Sequence, residues 1–454
     1  MEEAKKMFSK FQINVVSGQK LLGGFVGGKN ETEDWISSKV SAWGKSLKIL
    51  SEVGKKQPQA AYVAVSKSLQ NEWCYLQRVF PDCDEYFSPL RKILWEQFFP
   101  ALHGNPLNEE EYQIQEKPVR MAGLGIRDPV ASSKHSFNTS LKATKLLSDA
   151  ILSKISLDID SYESEILRVA KEMKKLKDES DLEQIQLLIQ TLPKENSKKL
   201  NRILENKCST WLSVTPTNDN HFALSPDEFR DALSIRYNYS PRDLPATCDG
   251  CGEEFNLCHA LNCKKGGLVT ARHNEIRDLN CDFCTIAGLK QIISEPILQE
   301  SDEYDDLQGL RADWSARGFW DNQRLALFDI CVFNADAKSF QNQDLQAVFE
   351  TKKKIKKDKY GAIAASRRAS FTPIIVTCEA IFDKEAETYL KRLATILSKK
   401  WNSSYAQALS YIRARMQICI LRSVSLCIRG SRTKWRGAGF TDDAALPLHF
   451  YESD

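Results

Sequence analysis

Nowhere does this chain string together the roughly 18 to 20 apolar residues that a membrane helix needs. Its polar opening, Met1-Glu2-Glu3-Ala4-Lys5, lacks the apolar block of a signal peptide, so a soluble intracellular protein without a membrane partner is expected. An excess of one charge is missing too. Lys and Arg number 63 against 60 Asp and Glu, and the net charge of +3 favours no class of partner, so any such case must come from local clusters. The 13 cysteines, an odd number, are scattered singly apart from one cluster near Cys248 and the pair Cys281/Cys284. That pattern favours a reducing compartment with metal ligation over a disulfide framework. There is no internal repeat or low-complexity tract. With 42% hydrophobic and 27% charged residues, little room is left for long disorder.

What is present suffices for two or three domains in 454 residues, within an α+β multidomain class. Phe8 to Val16 reads like a segment entered midway. Residues 1–130 mix helices with short strands. The glycine-dense Gly18 to Gly28 suits a hairpin, Thr32–Leu50 and Gln59–Phe80 carry helical periodicity, and a second glycine turn spans Met121 to Pro129. Residues 131–245 read as a helical linker, with Ile166, Val169, Met173 and Leu176 along one stripe. Pro216, Pro226, Pro241 and Pro245 break that pattern and mark a boundary over 214–247. Inside it, Ser225 and Glu228 offer a capping box for a helix through Arg236. Beyond the cysteine cluster a helix at Arg272–Leu289 precedes strands at Gln291–Gln299, Leu310–Gly318 and Arg324–Asn334. A helix at Asp344–Arg368 and a strand at Phe371–Cys378 complete an αβββαβ order. Helices near Lys384–Trp401 and Tyr405–Cys427 and a basic tail with Arg429, Arg432, Lys434 and Arg436 close the chain.

Two constellations carry chemistry. Cys248, Cys251, His259 and Cys263 form two close pairs bridged by seven residues, a small loop over 246–264 that a tetrahedral zinc can staple. Cys281 and Cys284, or Cys258, are rival ligands. Lys264, Lys265, Arg272 and His273 follow at once and offer nucleic-acid contacts. The second constellation is acidic. Asp313 and Asp329 stand in strongly apolar strand contexts, where a carboxylate is costly unless it binds something. Glu275 on the preceding helix could complete a set for a hard cation such as Mg²⁺. Lys352, Lys356 and Lys359 share one face of the next helix and could point at the carboxylates while its other lysines meet phosphates. Glu350-Thr351-Lys352 and Tyr304-Asp305-Asp306 are decoys: the first lies in a helix, the second lacks the spacer of a polymerase Tyr-x-Asp-Asp.

Cys-x2-Cys-x7-His-x3-Cys, Arg272-His273-Asn274, Arg-x-Asp at Arg311 to Asp313, Asp-x-x-Val at Asp329 to Val332 and Lys-x-x-Lys-Tyr at Lys356 to Tyr360 occur here in one order. Together they resemble the C-terminal half of non-long-terminal-repeat retrotransposon proteins, where a zinc knuckle precedes a restriction-like endonuclease of the PD-(D/E)XK fold. The resemblance extends upstream, with Leu22-Gly23-Gly24 at the place of the reverse transcriptase primer grip and Gly123 to Ile126 in its thumb or connection region. It implies a thumb and connection remnant at 1–130, an endonuclease domain at 265–437 and a tail at 438–454. It further implies structural zinc, catalytic Mg²⁺ on Asp313 and Asp329, and a lysine from Lys356 or Lys359 in place of the one absent where Cys331 stands. Arg272 and His273 would contact DNA or support the site, with Lys352 and Tyr360 beside it. The implied activity is nicking of target DNA in the nucleus to prime reverse transcription of the element RNA. Trp314 and Ala312 depart from the family's motif. No Tyr-x-Asp-Asp is present, so reverse transcription by this chain alone is not expected. The rival reading is a silent remnant that binds zinc and nucleic acid.

Overall fold

A computed structural model describes residues 2–8, 11, 13, 15–300 and 309–433, and the architecture is α+β. Tyr304-Asp305-Asp306, Lys434, Arg436 and the 438–454 tail lie outside the described residues. After α1 (Glu2–Phe8), strands β1 (Gly18–Leu21) and β2 (Gly24–Gly27) form the expected hairpin. Leu22 (φ +48) and Gly23 (φ +81) supply the two left-handed residues that such a tight turn requires. α2 (Lys29–Lys56) buries Ile36, Val40, Trp43 and Leu47, the three-and-four spacing of one helical face. α3 (Pro58–Ala64) and α4 (Gln70–Val79) are joined by a π-turn, and α5 (Ser88–Ile93), α6 (Phe99–His103) and α7 (Glu109–Gln115) complete the packing. In the second glycine turn a Cβ on Gly123 would lie 1.8 Å from the Lys117 carbonyl oxygen, so no other residue fits there.

α8 (Ala131–Ala143), α9 (Lys145–Ser153), α10 (Ile159–Thr191) and α11 (Lys194–Glu205) make the segment read as a linker. Val169 and Met173 of α10 are buried as the stripe requires, whereas Leu176 is exposed. α12 (Pro226–Tyr237) starts at the capping box: Ser225 Oγ accepts from the Glu228 amide at 3.2 Å, and Glu228 returns the bond at 2.7 Å. Pro226 at the first turn opens this helix instead of ending one. Residues Phe229 to Tyr237 are all buried, so α12 runs through the interior. One apolar core joins Ile36, Trp73 and Leu233 to Phe349, Ile375 and Leu421 across the prolines at 214–247, while a second is built only from residues beyond Leu233, from Ile235 to Ile428. No helix among the described residues is long and apolar enough to cross a membrane.

After the short α13 (Leu257–Asn262) comes α14 (Leu268–Ile286). The strands follow as β3 (Lys290–Ser294), β4 (Ile297–Gln299), β5 (Leu310–Arg311), β6 (Trp314–Arg317) and β7 (Leu325–Phe333). Then come α15 (Leu345–Ser366), β8 (Ser370–Thr377), α16 (Lys384–Lys400) and α17 (Tyr405–Arg429). The main sheet has the order β3-β6-β7-β8, antiparallel except for the β7/β8 pair, while β4 and β5 pair apart. The first two expected strands are therefore each broken in two. Pro373 sits on the edge strand β8, opposite Asp329, where its missing amide hydrogen leaves no ladder bond unmade. Along β7 the side chains alternate. Phe328 and Ile330 join the core under α14, α16 and α17, while Leu327, Asp329, Cys331 and Phe333 face the α15 side. That alternation puts a carboxylate on the face covered by the lysine-bearing helix.

Candidate functional site

The ligand atoms of Cys248, Cys251, His259 and Cys263 all lie within 4.8 Å of one another. Sγ of Cys263 is 3.9 Å from that of Cys248 and 4.0 Å from that of Cys251, and Cys251 Sγ is 3.4 Å from His259 Nε2. A zinc tetrahedron with Zn–S of about 2.3 Å has S···S edges of about 3.8 Å, so the donor set and its size fit a metal such as zinc. The Asn256 side chain caps α13 by accepting from the His259 amide at 2.9 Å, which fixes where the imidazole starts. Glu253 Oε2 stands 3.4 Å from His259 Nδ1, the carboxylate partner that orients a ligating histidine. Burial pushes the Cys248 thiol up, but amides of Gly250 and Cys251 outweigh it and bring it down to about 6, favouring thiolate. Cys281 and Cys284 lie in α14, with Cys284 buried beside the Tyr389 hydroxyl at 3.9 Å, and Cys258 accepts from Asn262. None of the three joins the cluster.

The acidic constellation is assembled by a break in the second strand. Between β5 and β6 the Asp313 amide donates to the Phe328 carbonyl at 2.9 Å, and the Glu295 amide donates to the Asp313 carbonyl at 2.8 Å. Asp313 Oδ1 is 2.9 Å from His273 Nε2, and its Oδ2 accepts from the Ile330 amide. Asp329, 3% exposed, faces Lys356 Nζ in an ion pair whose geometry leaves Oδ2 without an aligned hydrogen-bond donor. Burial first, then the Asp313 carboxylate, push Asp329 above the usual carboxylate range against the pull of Lys356. Burial would depress Lys356, yet the Asp329 carboxylate outweighs it and holds the ammonium form. Tyr360 donates to the Arg311 carbonyl at 3.0 Å, and burial followed by the nearby Asp329 raises its phenol. Trp314, following Asp313, is fully buried and stacks on Phe328 with centroids 4.9 Å apart, while Ala312 is buried under Tyr360 and Leu327.

Other expected site residues fall elsewhere. Glu275 is two positions from His273 and so on the opposite side of α14, where it lines a cavity of about 570 Å³ with Asp278, Asp282, Arg415 and Arg422. It does not join Asp313 and Asp329. Arg272 is 2% exposed and donates to the Leu261 carbonyl at 3.1 Å and to Cys378 Sγ at 3.4 Å, so it ties α13 to the end of β8 and cannot touch DNA. Tyr360, 3% exposed and stacked on Phe371, is likewise closed to a ligand's bases. Lys352 lies 4.8 Å from the ring centroids of both Phe333 and Phe340. Lys353 and Lys357 pair with Glu350 and Glu385 and are not free for phosphates. Lys359 is exposed over Tyr360, and Lys264 and Lys265 are exposed beside the cluster.

No protein-family model matches the chain. No curated protein matches it significantly.

Residues that sequence reasoning missed pin these sites in place. Asp249, between two cluster ligands, accepts from Ser431 Oγ and the Arg432 amide, both at 2.7 Å. The Arg432 guanidinium lies over Phe255 and donates to the Ala260 carbonyl at 3.0 Å, so the end of α17 clamps the cysteine loop. A Cβ on Gly266 (φ +71) would sit 2.4 Å from Arg432 Cα, and that glycine was a visible signal of the close approach. The partners 180 residues away were not visible.

Proposed function

We propose that this is a retroelement-derived protein with a restriction-like fold around Asp313 and Asp329. It is a Mg²⁺-dependent DNA endonuclease that nicks target DNA, with zinc on Cys248, Cys251, His259 and Cys263 as a structural ion. The observation that carries the reading is the meeting of three side chains: Asp313, in the break between β5 and β6, bonds the Ile330 amide beside Asp329 of β7, and Asp329 pairs with Lys356 of α15. Two crowded carboxylates, one of them buried, are a donor set suited to a hard divalent cation. When bound, Mg²⁺ would polarise the phosphodiester and lower the pKa of attacking water. The chain supplies the rest. Asp313 is oriented by His273 and the Ile330 amide, and Tyr360 fixes the chain turn at Arg311. Lys356 brings a positive charge to the carboxylates, and its ammonium can donate a hydrogen bond to the oxygen of the attacking water and so position it. Target DNA is the substrate, element RNA a further partner and the nucleus the site of action. Reverse transcription is not assigned to these residues, because the sequence contains no Tyr-x-Asp-Asp.

A second reading, a silent remnant that keeps zinc and nucleic-acid binding, is favoured by two observations. Glu275 is absent from the acidic set, and Lys356 already neutralises Asp329. Relaxation of supercoiled plasmid with Mg²⁺ separates the two readings. Nicking that disappears in Asp329→Ala supports the endonuclease, whereas DNA binding without nicking leaves the remnant.

A further inference from the structure

The geometry points to a phosphate clamp formed by Arg277 and Arg311, held in reserve by Glu295. It rests on the endonuclease reading for its DNA substrate and adds the residues that grip the backbone beside the cut. Arg277 lies one turn beyond His273 on the same side of α14, and Arg311 stands two residues before Asp313. Both guanidinium groups converge on one carboxylate. Arg277 Nη1 donates to Glu295 Oε1, and Arg311 Nη1 lies 3.9 Å from Glu295 Oε2. Glu295 is itself tied to the carboxylate site, since its amide donates to the Asp313 carbonyl at 2.8 Å.

Two further features separate this cluster from an ordinary surface ion pair. Glu295 adopts φ +52, a left-handed conformation unfavourable for a residue with a side chain, and it does so in the break between β3 and β4, whose backbone bonds Asp313 in the facing break. The Glu295 side chain is 49% exposed and that of Arg311 61%, while Arg277 is 12% exposed and fixed by a second bond to Asp278 at 2.8 Å. An exposed anion thus sits between two arginines, one pre-oriented and one free to swing, where a phosphate oxygen could replace it. Arginine suits that exchange because its planar fork matches carboxylate and phosphate alike. The buried Arg272 cannot serve, and Arg277 and Arg311 take the role that its position in the sequence suggested.

The test is fluorescence anisotropy of a short labelled DNA duplex with the full-length protein, titrated at several salt concentrations without added Mg²⁺. Arg311→Ala should weaken binding about fivefold and reduce the slope of log K against log salt by about one. Arg277→Ala should act in the same direction. Glu295→Gln should tighten binding about threefold, because it removes the competing anion and the repulsion of phosphate. Arg311 and Glu295 are exposed enough that their variants keep the fold even where Arg277→Ala does not. Lys174→Ala, an exposed lysine on α10, is the control and should bind as wild type does. Wild-type affinity and slope in all three variants, weaker binding by Glu295→Gln, or no DNA binding by any form would overturn the clamp. If the variants behave as expected but wild-type protein never nicks plasmid, the clamp stands and the endonuclease reading alone fails.

Discussion

Lys356 reaches Asp329 from a helix because a cysteine stands at 331, two residues on and on the same strand face. The short Cys331 side chain leaves room there for the ammonium group. Lys356→Ala should lower nicking by about 100-fold with zinc content unchanged, and adding Cys331→Lys should restore part of the rate by returning a lysine to the strand. Wild-type nicking by Lys356→Ala would remove this residue from the chemistry. Glu116 offers a test of a different kind. Burial, then the Asp128 carboxylate, push it from 4.5 up to about 7, with Trp95 Nε1 donating at 2.7 Å. The folded state therefore binds the extra proton, so stability is full below pH 4.5 and falls as pH rises toward 7. Glu116→Gln should erase that slope and raise stability at pH 8 by up to about 3 kcal/mol. Urea titrations at pH 5 and pH 8 check it, and a variant with the wild-type pH slope would contradict it. At this scale Asp329 was legible as a buried strand acid because a carboxylate in an apolar strand advertises its cost, whereas Asp313, read into a strand, stands in the break between β5 and β6. Glu275 was misread because acidity was weighed without helix phase. Arg272 was misread because a charge next to a basic run looks exposed until its buried acceptors, Leu261 and Cys378, are known.

Among the described elements, the cysteine loop carries the four residues that could hold a metal such as zinc. Zinc binding supplies on the order of 10 kcal/mol to such a loop, so chelation should unfold the 247–263 segment before the rest and free Arg432 from Phe255. Zinc stoichiometry discriminates the ligand sets. Cys248→Ser should lose metal and Cys281→Ser should keep it, because Cys281 lies in α14 with burial pushing its thiol up to about 11. The reverse result would contradict the cluster. Element order, caps and the hairpin could be read from periodicity and from Ser225, Glu228 and Gly23. The breaks between β3 and β4 and between β5 and β6 could not, since they are made by backbone bonds at Glu295 and Asp313 that no side-chain pattern announces.

Across the whole molecule, the helical and strand-bearing halves are fastened by buried charge as well as by a common apolar core. Lys199 and Arg202 of α11, 3% and 6% exposed in their side chains, pair with Glu379 at 3.3 and 2.7 Å, and Lys199 also meets Asp336 at 2.8 Å. Removing one partner of such a cluster leaves charge uncompensated, so Arg202→Ala should cost about 3 kcal/mol in urea denaturation. An unchanged midpoint would show that the cluster contributes nothing. The prolines at 214–247 suggested a boundary, and one core crosses it: Pro226 starts a helix buried from Phe229 to Tyr237, and Phe229 and Leu233 belong to a core extending to Leu421. The central claim is that Asp313, Asp329 and Lys356 form a working nuclease site. Its most direct test is conversion of supercoiled plasmid to open circles with Mg²⁺, run on wild type and Asp329→Ala side by side. Wild type should nick and the variant should not; equal conversion by both, or none by either, would contradict the claim.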